Sequence, residues 1–389
     1  MIPVSRRSAI RFIVALGLIS LLADVTYEGS RAINGPFLGM LGAGAAIIGI
    51  VSGAGELAGY ALRLASGVAA DRTRRYWTLT VAGYFMNLVA VPMMALADRW
   101  SIAAALIIVE RAGKGLRTPA RDVMLSQASR IVGRGWGFGL HEFMDQTGAF
   151  TGPLLVALAM KEWRHYPTAY ALLAIPAALA LVTLLGAMRL YPDPSRFEEP
   201  IVPRAGTPGQ LPRAFWIYAA AAGLLAAGFV DFPLIAFHFQ KTSLVPAPEI
   251  PVFYAGAMGM EAFAALLSGR LYDRVGTPAL IGGVLLSAAS GPLVFYGSFY
   301  AALAGMLLWG AGMGAQQSPL RAKIADLVAP EKRGAAYGIF NAVYGVSWFA
   351  GSAAIGILYA RSLVSAVALA VLAQLAAVPL LFMVGRKHS

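Results

Sequence analysis

Apolar residues run through this chain in stretches of about twenty, separated by short polar or glycine- and proline-bearing breaks. A helix rises 1.5 Å per residue, so a stretch of that length predicts a helix able to cross a bilayer. About twelve such stretches can be placed, centred near Gly17, Ala54, Asn87, Ile107, Phe150, Ala178, Leu224, Ala262, Leu286, Met306, Gly345 and Leu372. One interruption differs from the others. Tyr191 to Arg213 reads YPDPSRFEEPIVPRAGTPGQLPR, too polar for a span and too rich in proline for a long helix. The pattern therefore predicts an all-α membrane protein with about twelve transmembrane helices. They form two six-helix bundles, residues 1–190 and 214–389, joined by a cytoplasmic linker at 191–213.

Polar residues inside the apolar stretches change this picture. Between Glu110 and Pro153 the chain carries Glu110, Arg111, Lys114, Arg117, Arg121 and Asp122 within one helix length, then His141, Glu142 and Asp145 within the next. A central Arg, Lys or Asp costs roughly 2.5–3.5 kcal/mol on insertion, against about 0.3–0.6 returned by a Leu or Ile. Such a helix stays in the membrane only if its charges face other protein or a water-filled cavity. At 100° per residue Glu110, Lys114, Arg117 and Arg121 fall within an arc of roughly 60°, one polar stripe. Asp24, Glu28 and Arg31 make a similar arc in the first span, Asp231 and His238 share a face of the seventh, and the tenth adds Gln316, Gln317 and Arg321.

Composition supports the membrane assignment. The 389 residues are 58% hydrophobic and 13% charged, with a mean hydropathy of +0.67; a soluble domain has about 25% charged residues. The net charge of +12 is explained by basic loops rather than by nucleic acid, which is not expected as a partner. Arg72, Arg74, Arg75, Arg130, Arg134, Arg196, Arg204, Arg213, Arg270, Arg274, Lys332 and Arg333 fall on the side of the N-terminus, and Arg99, Lys161, Arg164, Lys241 and Arg361 on the other. That asymmetry predicts both termini in the cytoplasm, and the expected location is the cell (inner) membrane. No cleavable signal peptide is evident, since the first apolar segment is long and contains Asp24 and Glu28. With no cysteine there is no disulfide, thiol catalysis or Cys-ligated metal. The histidines are isolated, no G-x4-G-K-[ST] loop or catalytic triad is present, and neither a cofactor, a resident metal nor an enzymatic activity is expected.

The two halves look like repeats. GVAADRTRR (Gly67 to Arg75) resembles GRLYDRVGT (Gly269 to Thr277), RGWGFGLHEF (Arg134 to Phe143) resembles RGAAYGIFNA (Arg333 to Ala342), and Pro119-Ala120-Arg121 resembles Pro319-Leu320-Arg321, each about 200 residues apart. On these motifs the chain resembles the major facilitator superfamily over nearly its whole length. GVAADRTRR is similar to the family's cytoplasmic loop motif G-x-x-x-D-R-x-G-R-R, with the inner Gly missing. The second copy keeps Asp273, Arg274 and Gly276. Arg111-Ala-Gly-Lys114-Gly115 is similar to R-x-x-Q-G, with Lys114 for Gln. Gly139, Gly148, Gly152 and Pro153 fit G-x8-G-x3-G-P, which the family associates with antiporters and exporters, although Val156 and Ala157 stand where a Gly pair would close it. The resemblance implies pseudo-symmetric bundles that rock about a central site lined by spans 1, 4, 7 and 10.

Roles follow as expectations. Asp24, Glu28, Glu110, Arg111, Glu142, Asp145 and Asp231 are candidates for proton coupling, because a carboxylate removed from water can exchange a proton near neutral pH. The competing reading pairs each acid permanently with a base, so that it only joins helices. Arg31, Lys114, Arg117, His238, Gln317 and Arg321 are candidates to bind substrate, the cations through an anionic group. Gating is expected of Asp71, Arg72, Arg75 and Asp122 through a Coulombic latch that the resemblance implies, of Asp273 and Arg274 in the second copy, and of Gly148, Gly152 and Pro153 through close packing. The chain is expected to be a monomeric secondary transporter in the lipid bilayer, a proton-coupled exporter (antiporter) of a small organic solute. The alternatives are an uncoupled facilitator or metal-ion uniporter of the same fold, or a non-transporting receptor or scaffold.

Overall fold

The computed structural model describes residues 6–193, 211–329 and 332–385, and only the backbone of Arg134, Gln317, Ser318, Arg321, Ala322, Ala325 and Gly385. Residues 194–210 of the expected linker lie outside the described residues. The described chain is helical throughout, with no strand. Its helices are α1 (Arg6–Met40), α2 (Ala45–Thr73), α3 (Tyr76–Met93), α4 (Trp100–Val132), α5 (Arg134–Trp163), α6 (Tyr166–Leu172) and α7 (Ala174–Leu190), then α8 (Arg213–Gly228), α9 (Phe232–Thr242), α10 (Ile250–Val275), α11 (Thr277–Tyr296), α12 (Phe299–Leu327), α13 (Arg333–Arg361) and α14 (Leu363–Gly385).

Among the described residues 9 helical segments are long and apolar enough to cross a membrane, with α6–α7 and α8–α9 each counting as one. α4, α5 and α12 are as long but fall short on apolarity, and α4 and α5 carry the charged stretch that stood out in the sequence.

A proline explains where the α8–α9 pair breaks. Pro233 lies in the first turn of α9 and has no N–H to return to the preceding turn, so the helix opens at Phe229–Asp231. The carbonyls exposed there are taken by side chains: Gln374 Nε2 donates to Gly228 O at 2.9 Å and Trp309 Nε1 to Val230 O at 2.9 Å. Backbone polar groups need such partners at bilayer depth.

Two compact units emerge from the contacts. Unit 1 holds α1 as far as Arg31, and Ala58 through α7; unit 2 holds Ala32–Leu57 and α8 through α14. Unit 1 packs around Phe12, Tyr84, Met124 and Leu184, unit 2 around Phe215, Leu280, Ile324 and Leu381. The C-terminal end of α1 and the N-terminal end of α2 belong to unit 2 and join it through glycines. A side chain at Gly35 would strike the Pro233 carbonyl, and one at Gly49 would strike Ser352 and Gly356. Lipid supplies little hydrophobic force between helices, so this backbone-to-backbone approach is what binds them.

The two loops of the D-R motif share a backbone feature. Arg74 sits at φ 52° between α2 and α3, and Gly276 at φ 66° between α10 and α11. Aligning Asp71-Arg72 with Asp273-Arg274 puts Arg74 and Gly276 at the same position of the two copies.

Candidate functional site

The interior of unit 1 brings together acids and bases from α1, α4 and α5. On α1, Ser20, Asp24, Tyr27 and Glu28 lie on one face at helical spacing, and all are buried. They meet α4, where Lys114 Nζ lies 3.7 Å from Glu28 Oε1 and Arg117 Nη2 lies 3.9 Å from Asp24 Oδ1. Aromatic rings back the cations. Lys114 Nζ sits 4.0 Å from the centre of the Tyr27 ring, and the Arg117 guanidinium 4.1 Å from that of Tyr84; such contacts contribute about 2 kcal/mol when desolvated. One turn further, Arg121 Nη2 pairs with Asp122 at 2.8 Å and its Nη1 approaches Asp145 of α5 at 3.7 Å.

Ser20 ties this ladder together. Its hydroxyl lies 3.0 Å from Tyr84 Oη, 3.1 Å from His141 Nε2 and 3.0 Å from Arg121 Nη1. A serine offers one donor and two acceptors, so all three contacts can be satisfied. One assignment serves every group: Tyr84 O–H and Arg121 N–H donate to Ser20, Ser20 donates to His141 Nε2, and His141 Nδ1–H faces Asp145 Oδ2 at 3.5 Å.

Not all the ladder's polar atoms are used. Asp24 Oδ1, Asp145 Oδ1, and Arg117 Nε and Nη1 lack a hydrogen-bond partner among the described residues. Exposure separates the cations. The Arg117 side chain is 1% exposed and that of Arg121 12%, whereas Lys114 is 27% exposed. Lys114 is thus the cation of the ladder most open to a solute.

Other expected site residues sit apart. Glu110 and Arg111 pair with each other at 3.3 Å, and Asn87 of α3 donates to Glu110 Oε1 at 2.8 Å, a contact that joins α3 to α4. Glu142 is exposed and accepts from Gln146 one turn on, at 3.1 Å. Arg31 is buried at the end of the α1 face. Asp71, Arg72, Arg75, Asp273 and Arg274 are exposed at helix ends, and Asp122 has Arg121 of its own helix as its ion-pair partner. Gly148 and Gly152 of α5 lie directly on α1, where a side chain would strike Leu21 and Asp24, or Val25; Pro153 is inside α5. The side chains of Gln317 and Arg321 lie outside the described residues; Gln316 is buried.

Unit 2 places Asp231 at the break between α8 and α9, where α13 holds it. Trp348 Nε1 lies 3.1 Å from both carboxylate oxygens, and Ser352 Oγ donates to Oδ2 at 2.6 Å. Two turns further along α9, His238 Nδ1 meets Tyr359 Oη at 2.7 Å. Phe229, Trp309 and Tyr344 surround Trp348 or its neighbours with ring contacts. Trp348, Ser352 and Tyr359 were missed in the sequence, although their spacing marks one face of a helix. Ser20, Tyr27 and Tyr84 were missed likewise, since none carries a charge.

A family profile described as Major Facilitator Superfamily matches residues 12–352. The chain belongs to the Major Facilitator Superfamily. Among similar sequences, the uncharacterized protein Rv2265 of Mycobacterium tuberculosis (strain ATCC 25618 / H37Rv) is 42% identical over 380 residues, covering 96% of this chain and 93% of that protein. The uncharacterized MFS-type transporter MJ1317 of Methanocaldococcus jannaschii is 23% identical, covering 88% and 87%. Solved Major Facilitator Superfamily-like structures share the fold. A point mutant of the nucleoside transporter NupG superposes with a TM-score of 0.76 at 14% identity, covering 97% of this chain and all of that one. A bacterial homolog to the human lysosomal transporter Spinster, in an inward-facing and occupied conformation, gives 0.73 at 14% identity, covering 98% and 97%. As a member of this superfamily the chain is a multi-pass membrane transporter of small molecules and not an enzyme.

Proposed function

We propose that this transporter is a proton-coupled exporter of a small organic solute, working by alternating access. It has twelve spans, with α6–α7 and α8–α9 each forming one, arranged as two six-helix bundles about the 191–213 linker. Both termini are cytoplasmic, the membrane is the inner membrane, and the protein works as a monomer.

The observation that carries this reading is the Glu28–Lys114 pair. Lys114 is exposed enough to be reached, and its 3.7 Å contact with Glu28 is an ion pair longer than a tight hydrogen bond. A carboxylate, phosphate or other acceptor on the solute competes with Glu28 for the ammonium. Glu28, once displaced from Lys114, is a buried carboxylate with less compensation for its charge, and taking up a proton lowers that cost. Solute and proton then bind through one exchange. Asp24, paired with Arg117 one turn away, and Asp145, facing Arg121 and His141, belong to the same ladder and pass the change in charge along it. Only the difference in the two access states' affinity for proton and solute can drive the cycle.

The test uses the purified full chain in proteoliposomes with solutes first selected by thermal shift. An imposed pH gradient is expected to drive solute flux in the absence of a solute gradient. Glu28→Gln is expected to keep solute exchange while losing pH-driven accumulation. Flux indifferent to the pH gradient would remove the coupling and leave an uncoupled facilitator.

A further inference from the structure

Unit 2 contains a small cavity behind the break between α8 and α9, with a volume of about 10 Å³. Phe229 and Val230 of the break line it, together with Ser287 and Gly291 of α11, Trp309 of α12 and Gln374 of α14. Its lining includes no charged side chain. Two polar atoms belonging to the lining residues, Ser287 Oγ and Gln374 Oε1, have no hydrogen-bond partner among the described residues. Both residues are deeply buried, Ser287 at 2% and Gln374 at 4% exposure.

The neighbouring polar groups are already engaged. Gln374 Nε2 donates to Gly228 O at 2.9 Å and approaches Ala370 O at 3.3 Å. Trp309 Nε1 donates to Val230 O, and Ser290 Oγ to Ser287 O at 2.7 Å. Their donors are thus committed, and none is left to donate to Ser287 Oγ or Gln374 Oε1. Leaving a buried hydroxyl and a buried amide oxygen unpaired is costly, and native proteins resolve it with protein or water partners. A cavity needs at least about 10–15 Å³ to hold one water, and the water needs two or more polar partners, so this one has room for a single molecule at most.

We propose that this cavity binds a single ordered water, which donates to Gln374 Oε1 and shares a hydrogen bond with Ser287 Oγ. The water bridges α11 to α14 at the level where Gln374 holds the final carbonyl of α8. It therefore braces the helix opening that presents Asp231. An uncharged occupant suits a wall without carboxylates, because a cation there would have only neutral oxygens to replace its hydration.

The sign of one stability change tests this. Ser287→Ala and Ser126→Ala gain the same helix propensity, and Ser126, on α4 of unit 1, lies away from the cavity, so Ser126→Ala is the control. In the detergent-solubilised full chain, Ser287→Ala is expected to unfold about 2 °C below the control. A midpoint equal to or above the control overturns the proposal, because removing an unpaired hydroxyl from a dry cavity relieves a cost. Unfolding of the unaltered chain is expected to be the same in sodium chloride and choline chloride at equal ionic strength. A rise specific to sodium that Ser287→Ala abolishes would put a cation in the cavity and overturn the proposal as well.

Discussion

Unit 1 sets the buried Asp24 and Glu28 and the half-buried Asp145 against Arg117, Lys114 and Arg121, on three helices whose charged groups lie 3.7–3.9 Å apart. Unit 2 buries Asp231 against an indole N–H and a hydroxyl of one helix, at 3.1 and 2.6 Å. The two arrangements differ in what they permit. A long ion pair between helices can change partners, since the loss of one contact is met by another charge close by. A carboxylate gripped by short, directed hydrogen bonds from a single helix face keeps its geometry. The difference suggests a division of labour, with exchange of protons and solute in unit 1 and a fixed, aromatic-walled contact in unit 2.

The largest effect is expected from breaking the ladder by one member. Arg117→Met leaves Asp24 buried opposite an apolar chain and also removes the cation over the Tyr84 ring. Removing one partner of a buried pair costs about 3–5 kcal/mol, so the variant should unfold well below the parent in a detergent thermal scan. The double variant Asp24→Asn with Arg117→Met should recover most of the loss, since no uncompensated charge remains. A double variant no better than the single one would show that Arg117 acts by packing and not through Asp24.

Ser352→Ala probes the other side. It removes a 2.6 Å hydrogen bond to a carboxylate, worth about 1.5–3 kcal/mol, while Trp348 stays in place. The expected fall in midpoint is smaller than for Arg117→Met. If it were larger, Asp231 and not the ladder would be the more strained centre, and the contrast between the units would reverse.

What could be read in advance follows the same contrast. The helices were legible because bilayer crossing imposes a length and an apolarity that show in any window. The charges of α4 were legible because they are anomalous there, and Lys114, Arg117 and Arg121 do face acids on α1 and α5. Neutral partners were not legible. Ser20, Tyr84, Trp348 and Ser352 are ordinary residues for a membrane helix, and only the packing of α1 and α3 on α4 and of α13 on α8 brings them to the charged groups. Glu142 shows that charge alone does not report burial. It stands three residues before Asp145, only about 60° round the helix, and is nonetheless exposed where Asp145 is half-buried.

The smallest effect concerns the two D-R loops, where the same position is filled by Arg74 in one and Gly276 in the other. A non-glycine residue at positive φ costs about 1–2 kcal/mol, offset in part by the extra chain entropy that a glycine loses on folding. Gly276 combines φ 66° with ψ −135°, a region that essentially only glycine occupies. Gly276→Ala is therefore expected to destabilise by about 1–3 kcal/mol. Arg74→Gly should instead stabilise by about 0.5 kcal/mol, a rise that paired thermal scans of the full chain can resolve. Loss of stability in Arg74→Gly would mean that the arginine side chain, exposed as it is, contributes more at this turn than its backbone costs, and that the two loops are built on different terms despite their shared Asp-Arg pair.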